Sequence, residues 1–283
     1  IYNALLVEEP EAHLHPQYQN TFFEYLNELQ SKGLQVFVTS HSPTITAKSD
    51  VNNISILQRK QSIIQSFSFD ELSEDDYPKE SKRHLRKFLD TTKAQLFFAN
   101  GVLLVEGVAE AIIIPILAKK FLTEKIDLCK SGIELVNIGG VAFNHFGLLF
   151  NNDDERKRLL SKCAIITDSD PKDNGDISDR AQKAKDLEKH NLKVCLATHT
   201  LEHDLFEQSE RNKAIMRDVY RKIHAQTDDL SGDFNVSTLM KKLKSNKDKA
   251  EFALQLCDRL ETEVAFDVPD YIKDAILFIA PSE

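Results

Sequence analysis

Four short apolar runs, at residues 102–105, 134–138, 164–166 and 194–197, alternate with stretches of helical spacing. This rhythm limits the fold more than any other feature of the chain. The intervening segments 109–121, 143–150 and 179–189 are the expected helices. Strands that alternate with helices build a parallel sheet covered by helices, because every parallel connection needs a crossover. After Leu205 the strand-like runs stop, and three or more helices are expected up to Ile279.

An earlier block follows the same logic. Residues 4–7 read as a buried strand ending at Glu8-Glu9-Pro10-Glu11. Pro16 opens a helix with Phe22, Phe23, Leu26 and Leu29 on one face, and Gly33 closes it. A second strand at 36–38 leads into Thr39-Ser40-His41-Ser42-Pro43, and 54–57 with 63–69 form a meander. The polar stretch 70–82 reads as a linker, and 85–98 as a connecting helix. The expected division is therefore 1–69, 70–98, 99–205 and 206–283, the chain being α/β with a helical C-terminal region.

At 283 residues the chain is long enough for about two domains. Lys and Arg total 36 against 45 Asp and Glu, a net charge of −9, which excludes bulk electrostatic attraction as a means of holding nucleic acid. The longest apolar stretch, 102–118, is interrupted by Glu106 and Glu110, so no membrane span is expected. Cys129, Cys163, Cys195 and Cys257 show no paired spacing, which fits a reducing cytoplasm better than a disulfide framework.

The acidic residues gather at the strand ends. Glu106 closes the first strand of the second block and Glu110 follows one helical turn later. Asp168 and Asp170 close the third strand, and Glu202 and Asp204 follow the fourth. Any one such pair reads as an ordinary polar loop. Three pairs at successive strand ends converge on one rim, where the carboxylates repel unless cations are present. An all-oxygen set suits Mg²⁺ or Mn²⁺, and two such ions stabilise the attacking and leaving oxygens of a phosphodiester displacement.

Val105-Glu106-Gly107 resembles the hhhEG element of Toprim domains, Asp168-Ser169-Asp170 their DxD, and Val136-Asn137-Ile138-Gly139-Gly140 the glycine pair after their second strand. Toprim domains are shared by topoisomerases, bacterial primases and OLD-family nucleases. Three details resemble the OLD version: Glu110 four residues after Glu106, the run Gly139-Gly140-Val141-Ala142-Phe143-Asn144-His145-Phe146, and Leu201-Glu202-His203-Asp204-Leu205. The resemblance implies that Glu106, Glu110, Asp168, Asp170, Glu202 and Asp204 hold two metal ions, with Glu106 and Asp168 central to catalysis. It also implies a catalytic lysine beyond the sheet. Lys249, in Lys249-Ala250-Glu251-Phe252-Ala253-Leu254, fits that element, with Lys247 in reserve. The alternative is a solvated or phosphate-contacting face, because Lys241, Lys242, Lys244, Lys247 and Lys249 form a run.

Leu5-Leu6-Val7-Glu8-Glu9-Pro10-Glu11 resembles the Walker B element of ABC-type ATPases, with Glu in place of the usual Asp. By that resemblance Glu8 holds Mg²⁺ and Glu9 polarises the attacking water. Ala12-His13-Leu14-His15-Pro16 resembles the D-loop, and Thr39-Ser40-His41-Ser42-Pro43 the H-loop, with His41 at the γ-phosphate. His13 and His15 also read as an HxH metal pair, but no third ligand lies near them in sequence and the loop reading is favoured. Leu230-Ser231-Gly232-Asp233 imitates the ABC signature yet follows the Walker B element, so it is set aside. No glycine is followed by lysine, so the phosphate-binding loop is absent from these residues. ATP is expected only together with a missing N-terminal half, which the opening at Ile1 is read to imply.

The resemblance as a whole implies the C-terminal part of an OLD-family nuclease: half of an ABC-type ATPase, a Toprim domain and a helical region. It implies DNA as substrate, a homo-oligomer (dimer or higher), control by the ATPase, and a role in anti-phage defence with a partner protein or retron component. Two rivals stand beside it. One is an ATP-switched DNA-binding or assembly subunit with a structural Toprim domain. The other is a topoisomerase-like strand-passage enzyme using Tyr220 or Tyr271. A primase is disfavoured, because no zinc-binding module is present.

Overall fold

The computed structural model describes residues 3–140, 142–172, 175–224 and 234–281. The motif at 230–233 lies outside them. The chain packs as two units, Ile1–Phe98 with Asp154–Leu159, and Ala99–Asp153 with Leu160–Glu283.

In the first unit β1 (Ala4–Glu8) and β2 (Gln35–Thr39) are parallel, paired from Ala4↔Gln35 to Glu8↔Thr39, and α1 (Pro16–Ser31) connects them. Pro16 takes the first helical position, where its missing N–H costs nothing. Gly33, at φ +89°, supplies the left-handed turn that ends the helix. Ser42 caps α2 (Pro43–Lys48) by accepting from the Ile45 N–H. An antiparallel hairpin of β3 (Ser55–Lys60) and β4 (Ile63–Ser68) follows.

Residues 70–98 are not a linker. They pack inside the first unit as α3 (Lys79–Phe88), α4 (Thr91–Ala94) and a 3-10 turn, with Leu72, Tyr77, Leu85 and Leu96 buried. Phe69 organises the cluster, its ring meeting those of Phe67, Tyr77 and Phe97 edge-on. The polar composition of the stretch hid these few apolar anchors. The single helix expected over 85–98 is divided at Asp90, whose carboxylate accepts the Lys93 N–H and so caps α4.

The second unit contains a four-stranded parallel sheet of β5 (Gly101–Val105), β6 (Ile133–Asn137), β7 (Lys162–Asp168) and β8 (Leu192–Ala197), in the order β6-β5-β7-β8. The chain runs from β5 out to β6, returns past β5 to β7, and continues to β8. The direction of winding therefore reverses between β5 and β7, the place where open α/β sheets take their ligands. Pro115 removes a hydrogen bond from α5 (Val108–Ile116), which then widens into a π turn over Leu117–Phe121.

Beyond it lie α6 (Phe143–Gly147), α7 (Asp179–Lys185), α8 (Leu201–Glu207), α9 (Glu210–Ile223), α10 (Val236–Lys242), α11 (Asn246–Thr262) and α12 (Asp270–Ile279). The region 206–283 is no separate appendage. Ile272, Ala275, Ile276 and Ile279 of α12 share one core with Leu103, Val105, Ala164 and Ile166 of the sheet. A Cβ on Gly101 would stand 2.5 Å from the Ile279 carbonyl oxygen, so β5 and the end of α12 meet backbone to backbone. On the other face Gly147 lets α6 approach Ile165 and Leu192. Among the described residues no helix is long and apolar enough to cross a membrane.

Candidate active site

Register brings the acids together. Val105 pairs with Ile166, which sets Glu106 beside Thr167 at the carboxyl ends of the two central strands, and Asp168 is the last residue of β7. The Thr167 hydroxyl donates to Glu106 Oε1 and fixes that carboxylate across the winding reversal. Gly107 has a specific purpose. Glu110 folds back over it, and a Cβ at Gly107 would lie 2.9 Å from Glu110 Oε2. Gly139, at φ +72°, accepts the left-handed turn after β6, and the Gly140 N–H closes it onto the Glu106 carbonyl at 3.0 Å.

Glu202 comes from the first turn of α8, just beyond β8, and is 1% exposed. Among the described residues its two oxygens accept no well-directed hydrogen bond. Lys249 Nζ, from the start of α11, lies 3.3 Å from Oε2. On the other side of the rim Arg180 bridges two acids, at 2.7 Å from Asp170 Oδ2 and 3.3 Å from Glu106 Oε1.

The electrostatics show that these groups share one environment. Burial, reinforced by Glu106, Glu110 and Glu202, pushes the Asp168 carboxyl up to about 8 despite the opposing charge of Lys249. Burial raises Glu110 as well, helped by Glu202 and Glu106. Burial works against the Lys249 ammonium, yet Glu202, Asp168 and Glu110 hold it above its ordinary value. The Tyr271 hydroxyl is buried with no hydrogen-bond partner, and burial followed by Asp204, Asp168, Glu110 and Glu202 drives it well above the ordinary tyrosine range. The buried, unpartnered Glu202 oxygens, with Asp168 and Glu110 each raised by burial and by acidic neighbours, are a good fit to hard divalent cations.

Asp204 differs from the other five acids. Its oxygens accept the backbone N–H groups of Thr198 and His199, and His203 Nδ1 stands 3.1 Å away. It holds the loop after β8 in place. With His199 and His203 it forms the one group of three potential ligand atoms within 4.8 Å of each other among the described residues. The two rings are stacked, 4.0 Å apart and 28° from parallel, so their in-plane lone pairs do not converge on one ion. At the rim itself Arg180 and Lys249 are interleaved with the carboxylates.

In the first unit Glu8 and Thr39 end paired strands, which puts Glu8, Glu9 and His41 at one edge. Glu9 adopts φ +40°, and its Oε1 lies 3.4 Å from His41 Nε2. Glu11 links the two loops by accepting from the Ser40 hydroxyl and the His41 N–H. Burial would raise its carboxyl, but these hydrogen bonds together lower it. The His15 ring accepts from the Gln17 N–H at the start of α1, a capping contact.

The acids and Lys249 are visible in the sequence as site candidates, whereas Thr167, Arg180 and Glu11 join these sites only in the fold. Thr167 adjoins the DxD and was accessible from strand alternation. Arg180 carried no signal.

The geometry of the second unit defines a Toprim-type α/β domain, with acidic strand ends around a winding reversal. Residues 97–170 match the family described as "Overcoming lysogenization defect protein-like, TOPRIM domain", and residues 3–47 match an AAA domain. Over residues 97–170 the chain is similar to the OLD (overcoming lysogenization defect) family. It is 28% identical to the Old nuclease of Escherichia phage P2 over 164 residues, 58% of this chain and 28% of that protein. It is 24% identical to the endonuclease GajA of Bacillus cereus (strain HuB5-5) over an alignment of 345 residues, 98% of this chain and 48% of the relative. The chain thus spans about half the length of this relative and less of the first. The C-terminal region of the Burkholderia pseudomallei OLD protein is similar at 23% identity and a TM-score of 0.49, over 64% of this chain and 97% of that one.

Proposed function

We propose that the second unit is a divalent-metal-dependent DNA nuclease that hydrolyses phosphodiester bonds. The observation that carries this reading is the buried, mutually repelling carboxylate rim, with Asp168 pushed up to about 8 at the winding reversal. Glu106, Glu110, Asp168, Asp170 and Glu202 would hold two Mg²⁺ or Mn²⁺ ions, and Asp204 orients the loop that presents Glu202. Ions held there would lower the pKa of the attacking water and stabilise the leaving 3′-oxygen. Thr167 fixes Glu106. Lys249 places an ammonium group where it can offset negative charge developing on the phosphate.

The first unit is read as one half of an ABC-type ATPase, with Glu8, Glu9 and His41 completing a nucleotide site only alongside residues that supply the phosphate-binding loop. Control of the nuclease by that ATPase, assembly as a dimer or higher oligomer, and work in anti-phage defence beside a partner protein or retron component are supported by the family resemblance. The strand-passage rival is disfavoured. Tyr220 is fully buried, and the enclosed Tyr271 hydroxyl is held protonated. Supercoiled DNA incubated with Mg²⁺ or Mn²⁺ should be cut, with cutting lost in EDTA and in Glu106→Ala. Nicking retained by a folded Glu106→Ala protein would refute the assignment.

A further inference from the structure

Arg180 lies at the second position of α7, where the backbone is fixed. The Ser178 hydroxyl accepts from the Ala181 N–H, and the Ser178 N–H donates to the Ser169 carbonyl at 3.0 Å. The guanidinium reaches from this anchor to a single nitrogen contact 2.7 Å from Asp170 and 3.3 Å from Glu106. Its Nε is buried with no hydrogen-bond partner. The side chain remains one-third exposed, so solvent-side space is open to it. A guanidinium does not give up its proton, so Glu106 and Asp170 can be freed only if the side chain moves.

We propose that Arg180 is an exchangeable counter-cation: it bridges Glu106 and Asp170 until divalent ions bind there, and once displaced it holds a phosphodiester of the substrate at the same rim. This rests on the metal-dependent reading above. Glu106 and Asp170 would prefer a divalent ion to the single positive charge of Arg180, which would then be repelled. The long stem on a fixed backbone lets the planar fork turn outward, where its paired donors match phosphate oxygens. Charge counting agrees. Once metal binding has displaced their protons, five ionised rim carboxylates against Arg180 and Lys249 give three negative charges. Two divalent ions turn that into one positive charge, which the single charge of a phosphodiester cancels. The loaded rim is then one charge positive until the substrate binds, so the phosphodiester is the anion that Arg180 would meet there.

The test uses the 283-residue chain as wild type, Arg180→Gln and Arg180→Lys, matched for fold by circular dichroism and urea midpoint. Mn²⁺ binding is followed by the electron paramagnetic resonance signal of the free ion, and binding of a fluorescein-labelled duplex by anisotropy in Ca²⁺. Arg180→Gln should bind Mn²⁺ roughly three- to tenfold more tightly, since a partly exposed ion pair no longer competes. Arg180→Lys should bind Mn²⁺ as wild type does. Both variants should lose about tenfold in duplex affinity, because neither presents the paired donors. Mn²⁺ binding in Arg180→Gln that is unchanged or weaker, or duplex affinity unchanged in both variants, would overturn the proposal and leave the metal-dependent reading standing. Failure of the wild type to bind Mn²⁺ at all would overturn both.

Discussion

Replacing Asp168 with Asn should stabilise the metal-free protein while abolishing its chemistry. The folded state holds this carboxyl at about 8 against an ordinary 3.8. At pH 7 the unfolded chain has released the proton and the folded chain retains it, a penalty of about 4 kcal/mol at roughly 1.4 kcal/mol per pH unit. Part of that gain is lost in the variant, because a buried amide with unmet hydrogen bonds costs about 1–3 kcal/mol. The expected net stabilisation is about 1–3 kcal/mol near neutral pH. The sign follows from proton counting. Between the ordinary value and about 8 the folded state binds more protons than the unfolded one, so this carboxyl makes stability fall as pH rises through that window. Urea unfolding in EDTA, followed by circular dichroism at about pH 5 and about pH 9, reads the effect directly. The variant's advantage should grow with pH, and added Mg²⁺ should restore the wild type far more than the variant. An Asp168→Asn protein less stable than wild type in EDTA at the higher pH, or a gap that does not widen, would refute a raised Asp168 carboxyl.

Lys249→Ala should stop cleavage while leaving duplex binding within about threefold of wild type by anisotropy, as expected for a group that acts on developing charge; equal loss of both would assign it to a phosphate-contacting face. Gly107→Ala puts a methyl group where the Glu110 carboxylate lies, so Mn²⁺ binding by calorimetry should weaken by about tenfold with little change in unfolding midpoint. Unchanged binding would mean that Glu110 does not serve the rim. The 283-residue chain should retain almost no ATP in a filter-binding assay, since no glycine in it is followed by lysine. Tight stoichiometric retention would contradict the half-site reading.

The sheet was legible because its strands are short, apolar and regularly spaced, and fully buried parallel strands can hardly be written any other way. β5 and β7 differ from the expected bounds by a few terminal residues only. What periodicity could not supply was the fate of polar stretches. Residues 70–82 look like solvent-exposed chain, yet one tyrosine, 1% exposed at position 77, is enough to anchor them. Likewise, residues 206–283 read as an appendage because no strand follows Leu205. Only the packing of Ile272, Ile276 and Ile279 on the sheet shows that they complete its core.

The same asymmetry separates the rim's acids from its cations. The acids sit at strand ends or within the first turn of the helix that follows, and those strand ends can be read from a sequence. Arg180 and Lys249 act from helices through long flexible stems, at distances that helical spacing does not encode. Their placement follows from the charge that the strand ends create. Carboxylates gathered along one end of the sheet attract the cations that the surrounding helices carry. The two they reach stand beside opposite ends of the acidic set, Glu202 on one side and Glu106 with Asp170 on the other. Crowding carboxylates in this way works against stability, and the upward shift of Asp168 has the same origin. That cost is intelligible if the balance is completed by what the site binds.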